Sequence, residues 1–297
     1  MRKKIVSALL ACMMGLSLMA CGSKSTEEAA EQPATEEPAV AETAEEEAAE
    51  VEKTELIVFA AASMTETLNK ISELYKVENP NVELIFNFDS SGTLKNQIQE
   101  GAACDLFISA GQKQMNQLDI TADPEVNTEG LDFVLEDTRI NILENKVTLC
   151  VSETSDAGIE TFDDLAEALK SGEILMAMGN SDVPVGQYTQ KILAYYELNE
   201  EELANAGAIS YGSNVKEVTT QVSEGSVDCG VIYCTDAFSA GLKVTDAATA
   251  EMCDQVIYPA AVLNVSENQE LAKEFLAFLR TDVCMEIFEG VGFSRVQ

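Results

Sequence analysis

The chain has 297 residues, with 52 Asp plus Glu against 18 Lys plus Arg, no His, no Trp and a formal charge of −34. That length allows one or two domains with a substantial core, and a hydrophobic content of 46% excludes a wholly disordered protein. The charge excludes nucleic-acid binding, which needs a cationic face, and the lack of His excludes Ser-His-Asp and Cys-His nucleophile systems and His-ligated metals.

Residues 1–20 carry Arg2, Lys3 and Lys4 ahead of an apolar run from Ile5 to Ala20, which reads as an export signal. The run is 16 residues, short of the roughly 20 that span a bilayer core. It ends Leu18-Met19-Ala20-Cys21-Gly22, which resembles a bacterial lipobox, so Cys21 is expected to be lipidated and to begin the mature chain. Between Gly22 and Lys53 stand 11 Glu against Lys24 and Lys53, a charge of −9 with no aromatic residue. Such a stretch buries too little apolar area to offset the entropy of ordering it. It reads as a disordered acidic tether over residues 21–53. The remaining residues, 54–297, still carry −28.

From Glu55 strands and helices alternate. Leu56-Ile57-Val58-Phe59 is a buried strand run, and Ser63-x-x-Glu66 reads as a capping box opening a helix that stops at Asn79-Pro80. Val82, Leu84, Phe86 and Phe88 alternate as a strand, Ser90-Ser91-Gly92-Thr93 leads into a second helix, and Asp105 to Ser109 is a third strand. This βαβαβ order predicts a parallel sheet covered by helices. After an irregular stretch over 119–140 a second cycle begins. It has strands at Lys146–Val151, Ile174–Met178 and Gly230–Tyr233, and helices opening at Asp163, after Val183-Pro184 and at Val215. A last strand over Tyr258–Leu263 precedes a helix around Phe275. Two α/β lobes fit this order better than one sheet.

Ser63, Ser91, Val185 and Val215 all stand at strand-to-helix junctions. In an open α/β sheet these junctions lie at the carboxyl ends of strands, where ligands bind. A helix N-terminus carries free N–H groups and about +0.5 of a charge, so several facing one another make an anion site without Lys or Arg. Taken singly, each Ser reads more readily as an ordinary helix cap than as a ligand, and spacing does not decide between the two.

Phe59-Ala-Ala-Ala-Ser63, Ser90-Ser91-Gly-Thr-Leu94, Gly101 to Ala110 and Gln112-Lys-Gln-Met115 resemble the opening of the molybdate-binding proteins of ABC transporters. Gly179 to Gly186, Gly230-Val-Ile-Tyr233, Thr235-Asp236-Ala237, Tyr258-Pro259 and Ile287 to Phe293 follow in matching order over about residues 55–297. The resemblance implies an α/β type II periplasmic binding protein: two lobes, each a mostly parallel sheet flanked by helices, joined by crossover strands. Lobe 1 is expected over 54–140 plus 260–297 and lobe 2 over 141–259. The resemblance also implies the site, with hydroxyl and backbone N–H of Ser63 and Ser91, the N–H of Val185 and Val215, and the phenol of Tyr233. Departures from the family pattern are Gly92 for a common Ser, Val185 for a common Ala and Cys104 for a common Pro.

The implied function is non-enzymatic. It is a lipid-anchored extracytoplasmic receptor on the outer face of the bacterial membrane, carrying molybdate (and tungstate) to permease and ATPase subunits. No cofactor is expected, any molybdenum is held only as bound oxyanion, and the protein is expected to be a monomer. A sulfate-type receptor is the alternative within the class. Outside it stands an acidic surface hydrolase or calcium-binding module, for which Asp163-Asp164 and Glu200-Glu201-Glu202 are the candidate residues, although these read better as a helix start and a solvated face. Tyr195-Tyr196 reads as core. Cys104, Cys150, Cys229, Cys234, Cys253 and Cys284 have no C-x2-C spacing, so zinc is disfavoured, and they are read either as paired or as buried free thiols.

Overall fold

The computed structural model describes residues 53–296. The export signal, Cys21 and nearly all of the acidic tether therefore lie outside the described residues. The first lobe opens with β1 (Thr54–Ala61), a 3₁₀ turn (Ala62–Met64), α1 (Thr65–Glu78), β2 (Val82–Asp89), α2 (Ser91–Gln99), β3 (Leu106–Ile108) and α3 (Gln112–Leu118). β1 lies between β2 and β3, parallel to both, which explains its unbroken apolar run: Leu56, Val58 and Ala60 are fully buried. β2 is the outer strand, and its sequence alternates accordingly. Pro80 disfavours helical backbone at Asn79, and α1 ends at Glu78.

β4 (Ile140–Asn145) carries the chain into the second lobe. There follow β5 (Val147–Val151), α4 (Phe162–Ser171), β6 (Met176–Gly179), α5 (Pro184–Tyr195), α6 (Glu200–Asn205), β7 (Ile209–Gly212), α7 (Val215–Ser223), β8 (Cys229–Tyr233), α8 (Cys234–Ala240) and β9 (Val244–Ala247). The chain returns through β10 (Val256–Val262) to α9 (Gln269–Phe278), α10 (Asp282–Glu289) and β11 (Ser294–Arg295). The strand order is β11-β4-β10-β3-β1-β2 in the first sheet and β7-β6-β8-β5-β9 in the second.

Both sheets are mixed rather than mostly parallel. The βαβαβ strands pair in parallel, but β10 is antiparallel to β3 and β4, and β5 is antiparallel to β8 and β9. The antiparallel pairs arise because each passage between lobes brings a strand in against the direction of its neighbours. The expected boundaries at 140/141 and 259/260 fall inside strands of the first sheet. β4 runs on to Asn145, and β10 already pairs with β4 from Val256. The passages are therefore Lys146 on the way out and the segment 248–255 on the way back.

One further expectation changes, and one open alternative is decided. Tyr195 is exposed, because the last turn of α5 reaches the surface, where Tyr196 donates its hydroxyl to Asp163. The six described cysteines are free thiols, with Cys104, Cys150, Cys229 and Cys284 buried. Burial pushes the Cys150 and Cys229 thiols up to about 12, so they are unreactive at neutral pH.

Asp163 and Asp164 do open a helix. Thr161 and Asp164 form a reciprocal capping box at the start of α4. Glu200–Glu202 form the first turn of α6, capped by Asn199, where their charge favours the helix dipole. These acids are thus accounted for by helix starts, not by a catalytic or calcium constellation.

Candidate functional site

The carboxyl ends of β1, β2, β6, β7 and β8 point into the cleft between the lobes, and the residues that follow them line one small cavity. Its walls are Ala61, Ala62, Ser63, Asp89, Ser90, Ser91 and Ala110 from the first lobe and Val183, Pro184, Val185, Val215 and Tyr233 from the second. All five residues expected to bind ligand are brought together there. The cavity volume is only about 10 Å³, far below the roughly 300–1,000 Å³ of sites for organic molecules. It is too small for an organic solute. A wider depression elsewhere holds Arg139, but that guanidinium is already engaged by Asp119, Gln112 and Asn116.

Three helix starts supply unpaired amides. In α2, Ser90 is the N-cap, its hydroxyl accepts from Thr93 N, and the first intrahelical bond runs from Leu94 N to Ser90 O. The N–H of Ser91 precedes that bond and has no intrahelical acceptor. In α5 the first bond runs from Gln187 N to Val183 O. Pro184 at the first position has no N–H, so Val185 offers the helix's first amide. In α7, Asn214 caps Glu217 N, and Val218 N bonds Asn214 O, which leaves the Val215 amide open. The side chains of Val185 and Val215 are buried in the lobe core, so a Val contributes its amide here rather than its isopropyl group. Gly186 lets α5 start hard against β6, since a Cβ there would lie 2.2 Å from Gly179 O.

Side chains complete the set. Ser91 Oγ accepts from Ala110 N at 2.9 Å, and this leaves its hydroxyl proton free to donate. Ser63 does not cap α1, contrary to the capping-box expectation. The helix N-cap is Met64 with no side-chain bond, because Ser63 sits in the preceding 3₁₀ turn and its Oγ lies 2.8 Å from Tyr258 OH. Tyr233 OH is buried without a hydrogen-bond partner. An orphan phenol in a buried wall costs free energy unless something fills the cavity and accepts its proton. Burial holds the Tyr233 phenol well above its usual pKa, so it remains a donor at physiological pH.

The lobes meet around this cavity. An ideal Cβ on Gly92, in the first lobe, would fall 2.1 Å from the backbone oxygen of Asp182 in the second. Asp89 Oδ1 accepts from Ser90 N at 2.7 Å and faces Asn214 Nδ2 across the cleft at 3.4 Å. Lys216, the residue after Val215, bridges Glu66 of the first lobe at 2.8 Å and buried Asp236 of its own lobe at 3.2 Å. Burial pushes the Asp236 carboxyl up to about 6, against the opposing pull of Lys216, with Glu66 raising it further.

A carboxyl whose folded pKa exceeds its unfolded value binds more protons when folded, so its contribution to stability is present below about pH 4 and is lost as pH rises through about 6. Asp236→Asn is therefore expected to remove on the order of 3 kcal/mol of the fall in unfolding free energy between pH 4 and 7. Chemical denaturation at several pH values measures this, and an unchanged pH slope would show that Asp236 is not the group responsible.

Asp89, Ala110, Asn145, Asn214 and the role of Tyr258 are not evident as site features in the sequence. Tyr258-Pro259 stood out only as a motif, and Asn145 carried no signal at all, since its partners are remote in sequence.

A sequence profile of the bacterial extracellular solute-binding proteins matches residues 56–294. The chain belongs to that family. Its members bind solutes for transport and are not enzymes, and the architecture is that of the type II periplasmic binding proteins. Among its relatives, a putative ABC transporter substrate-binding lipoprotein of Bacillus subtilis, YvgL, is 31% identical over 82% of this chain and 87% of its own length. The molybdate-binding protein ModA of Haemophilus influenzae is 28% identical over 81% of this chain and 90% of its own. The solved substrate-binding domain of a putative molybdenum ABC transporter from Clostridium difficile is 32% identical, covers 82% of this chain and 99% of that one, and superposes with a TM-score of 0.58. The chain is accordingly a solute-binding protein of an ABC transporter.

Proposed function

We propose that this protein captures molybdate, and also tungstate, between its lobes and hands it to the permease and ATPase subunits of an ABC transporter. The observation that carries the reading is the chemistry of the cavity. Three helix N-termini, two serine hydroxyls and an orphan phenol converge on one small cavity, and these groups can all donate. A tetrahedral dianion that carries no proton at neutral pH needs donors only. Each hydrogen bond to such a charge contributes ~1.5–3 kcal/mol. Surface acids about 20 Å away each oppose a unit of ligand charge by ~0.2 kcal/mol in water, which salt reduces about tenfold. The local donors prevail, and the surface charge slows encounter without abolishing affinity.

Asp89 is the acid on the cavity wall, and its Oδ1 is already held by Ser90 N–H and turned toward Asn214. Relatives named for molybdate support the ligand, and the YvgL name supports lipid attachment at Cys21, which would hold a monomeric receptor on the outer face of the membrane.

Thermal unfolding of the purified protein with molybdate, tungstate, sulfate and phosphate tests the reading. Molybdate and tungstate are expected to raise the midpoint by several degrees, in line with mass-action stabilisation of ~3–4 kcal/mol at 100–1,000 times the Kd. A response to sulfate equal to that to molybdate would leave an oxyanion receptor of the sulfate type.

A further inference from the structure

Ser63 is braced from behind by a chain of hydrogen bonds whose direction is fixed. Tyr258 OH lies 2.8 Å from Ser63 Oγ, and Asn145 Nδ2 lies 3.1 Å from the same phenol oxygen. The orientation of the Asn145 amide is set by its neighbour: Lys146 N–H, which can only donate, bonds Asn145 Oδ1 at 2.8 Å. The amide nitrogen therefore faces Tyr258. Its two protons are divided between Tyr258 OH in the first lobe and Thr235 Oγ1, 3.0 Å away, in the second. At Asn145 the phenol oxygen is thus an acceptor. Its own proton has one remaining partner among the described residues, Ser63 Oγ. Ser63 receives that proton and keeps its own for the cavity.

We propose that Asn145 and Tyr258 are positioning residues that fix the polarity of Ser63, so that it presents a proton and not a lone pair to the bound ion. The proposal rests on the oxyanion reading above and extends it to selectivity. A serine free to rotate could accept a proton from a partly protonated anion such as hydrogen phosphate. With one lone pair occupied by Tyr258 and its proton turned to the cavity, Ser63 accepts less readily, and it therefore favours fully deprotonated tetrahedral ions.

Asn145 is also the last residue of β4, where the chain leaves the first lobe, and its amide bonds both lobes at once. The bulge opposite Tyr258 and Pro259, where Ile142 of β4 is the extra residue, lies beside the tyrosine that completes the relay. The donor state of Ser63 is thus tied to a residue at the passage between the lobes.

The test is a double-mutant cycle on the full chain, reading molybdate and phosphate affinity by calorimetry for wild type, Tyr258→Phe, Ser63→Ala and the pair. Tyr258→Phe keeps the ring and removes the proton, so molybdate affinity is expected to fall about tenfold and the preference for molybdate over phosphate to shrink. With Ser63 already replaced by alanine, Tyr258→Phe should change molybdate affinity less than about twofold. A merely structural tyrosine would weaken binding equally in both backgrounds, and such additivity would overturn the proposal. Unaltered molybdate affinity in Tyr258→Phe would also overturn it.

If Tyr258→Phe fails to fold, Asn145→Asp serves in the same cycle. Its carboxylate accepts the phenol proton and so turns the Ser63 lone pair to the cavity. The substitution should therefore cost more affinity when Ser63 is present than in the Ser63→Ala background. Equal losses in the two backgrounds would refute the relay. A wild-type protein that binds no molybdate refutes the ligand reading instead, whatever the variants do.

Discussion

Replacing Ser63 and Ser91 together by alanine is expected to weaken molybdate binding by roughly 10²–10⁴-fold, because two hydrogen bonds to a charged ligand of ~1.5–3 kcal/mol each are lost and 1.4 kcal/mol is a factor of ten. Backbone amides of the same turns survive the substitutions, so residual binding should persist. The two serines do not contribute equally to the fold. Ser91→Ala deprives the buried Ala110 N–H of its acceptor, which costs about 1–3 kcal/mol of stability, whereas Ser63→Ala removes a partner of Tyr258 OH. Calorimetric titration gives the affinity, and denaturant unfolding monitors the fold. Wild-type affinity in a folded double variant would remove both serines from the site.

The second large effect is expected from Gly92→Ala, which adds a single methyl group. That carbon would stand 2.1 Å from the Asp182 carbonyl oxygen and 2.9 Å from its carbonyl carbon, both backbone atoms of the opposite lobe. Backbone cannot rotate aside, so the lobes must stay further apart. Apparent affinity falls in proportion to the population of the closed state. A loss of at least about tenfold, expressed mainly in faster dissociation, is the expected result. Stability should not fall with it, because alanine in the first turn of α2 is a better helix residue than glycine by up to ~1 kcal/mol. Stopped-flow dissociation and thermal unfolding of one protein sample separate the two quantities. Unchanged dissociation would show that closure does not depend on the contact at residue 92.

The five candidate site residues were legible as strand-to-helix junctions and a strand end because local pattern sets those features. Ser90-Ser91-Gly92 after an alternating strand and Pro184 ahead of a helical pattern each announce a helix start. Ser63 shows the limit of such reading. Its spacing to Glu66 matches a capping box, yet Tyr258 OH, 195 residues later, takes its hydroxyl instead. A tertiary partner overrode a local one. The same reason hid Asn145, whose contacts with Thr235 and Tyr258 span 90 and 113 residues.

Sheet direction was also hidden. The βαβαβ order implied parallel strands, but β10 joins β3 and β4 in the antiparallel sense through pairings remote in sequence. The net charge said nothing about the sign of a ligand held by dipoles.

The central claim, that the cleft binds molybdate as a fully deprotonated dianion, in preference to sulfate, through neutral donors, is tested most directly by calorimetric titration of the wild-type protein with molybdate and sulfate between about pH 6.5 and 8.5, a range in which neither backbone amides nor serine hydroxyls titrate. The account predicts one molybdate per chain, affinity constant across that range because no donor in the wall titrates there, and much weaker binding of sulfate. No molybdate heat, or equal affinity for sulfate, would contradict it.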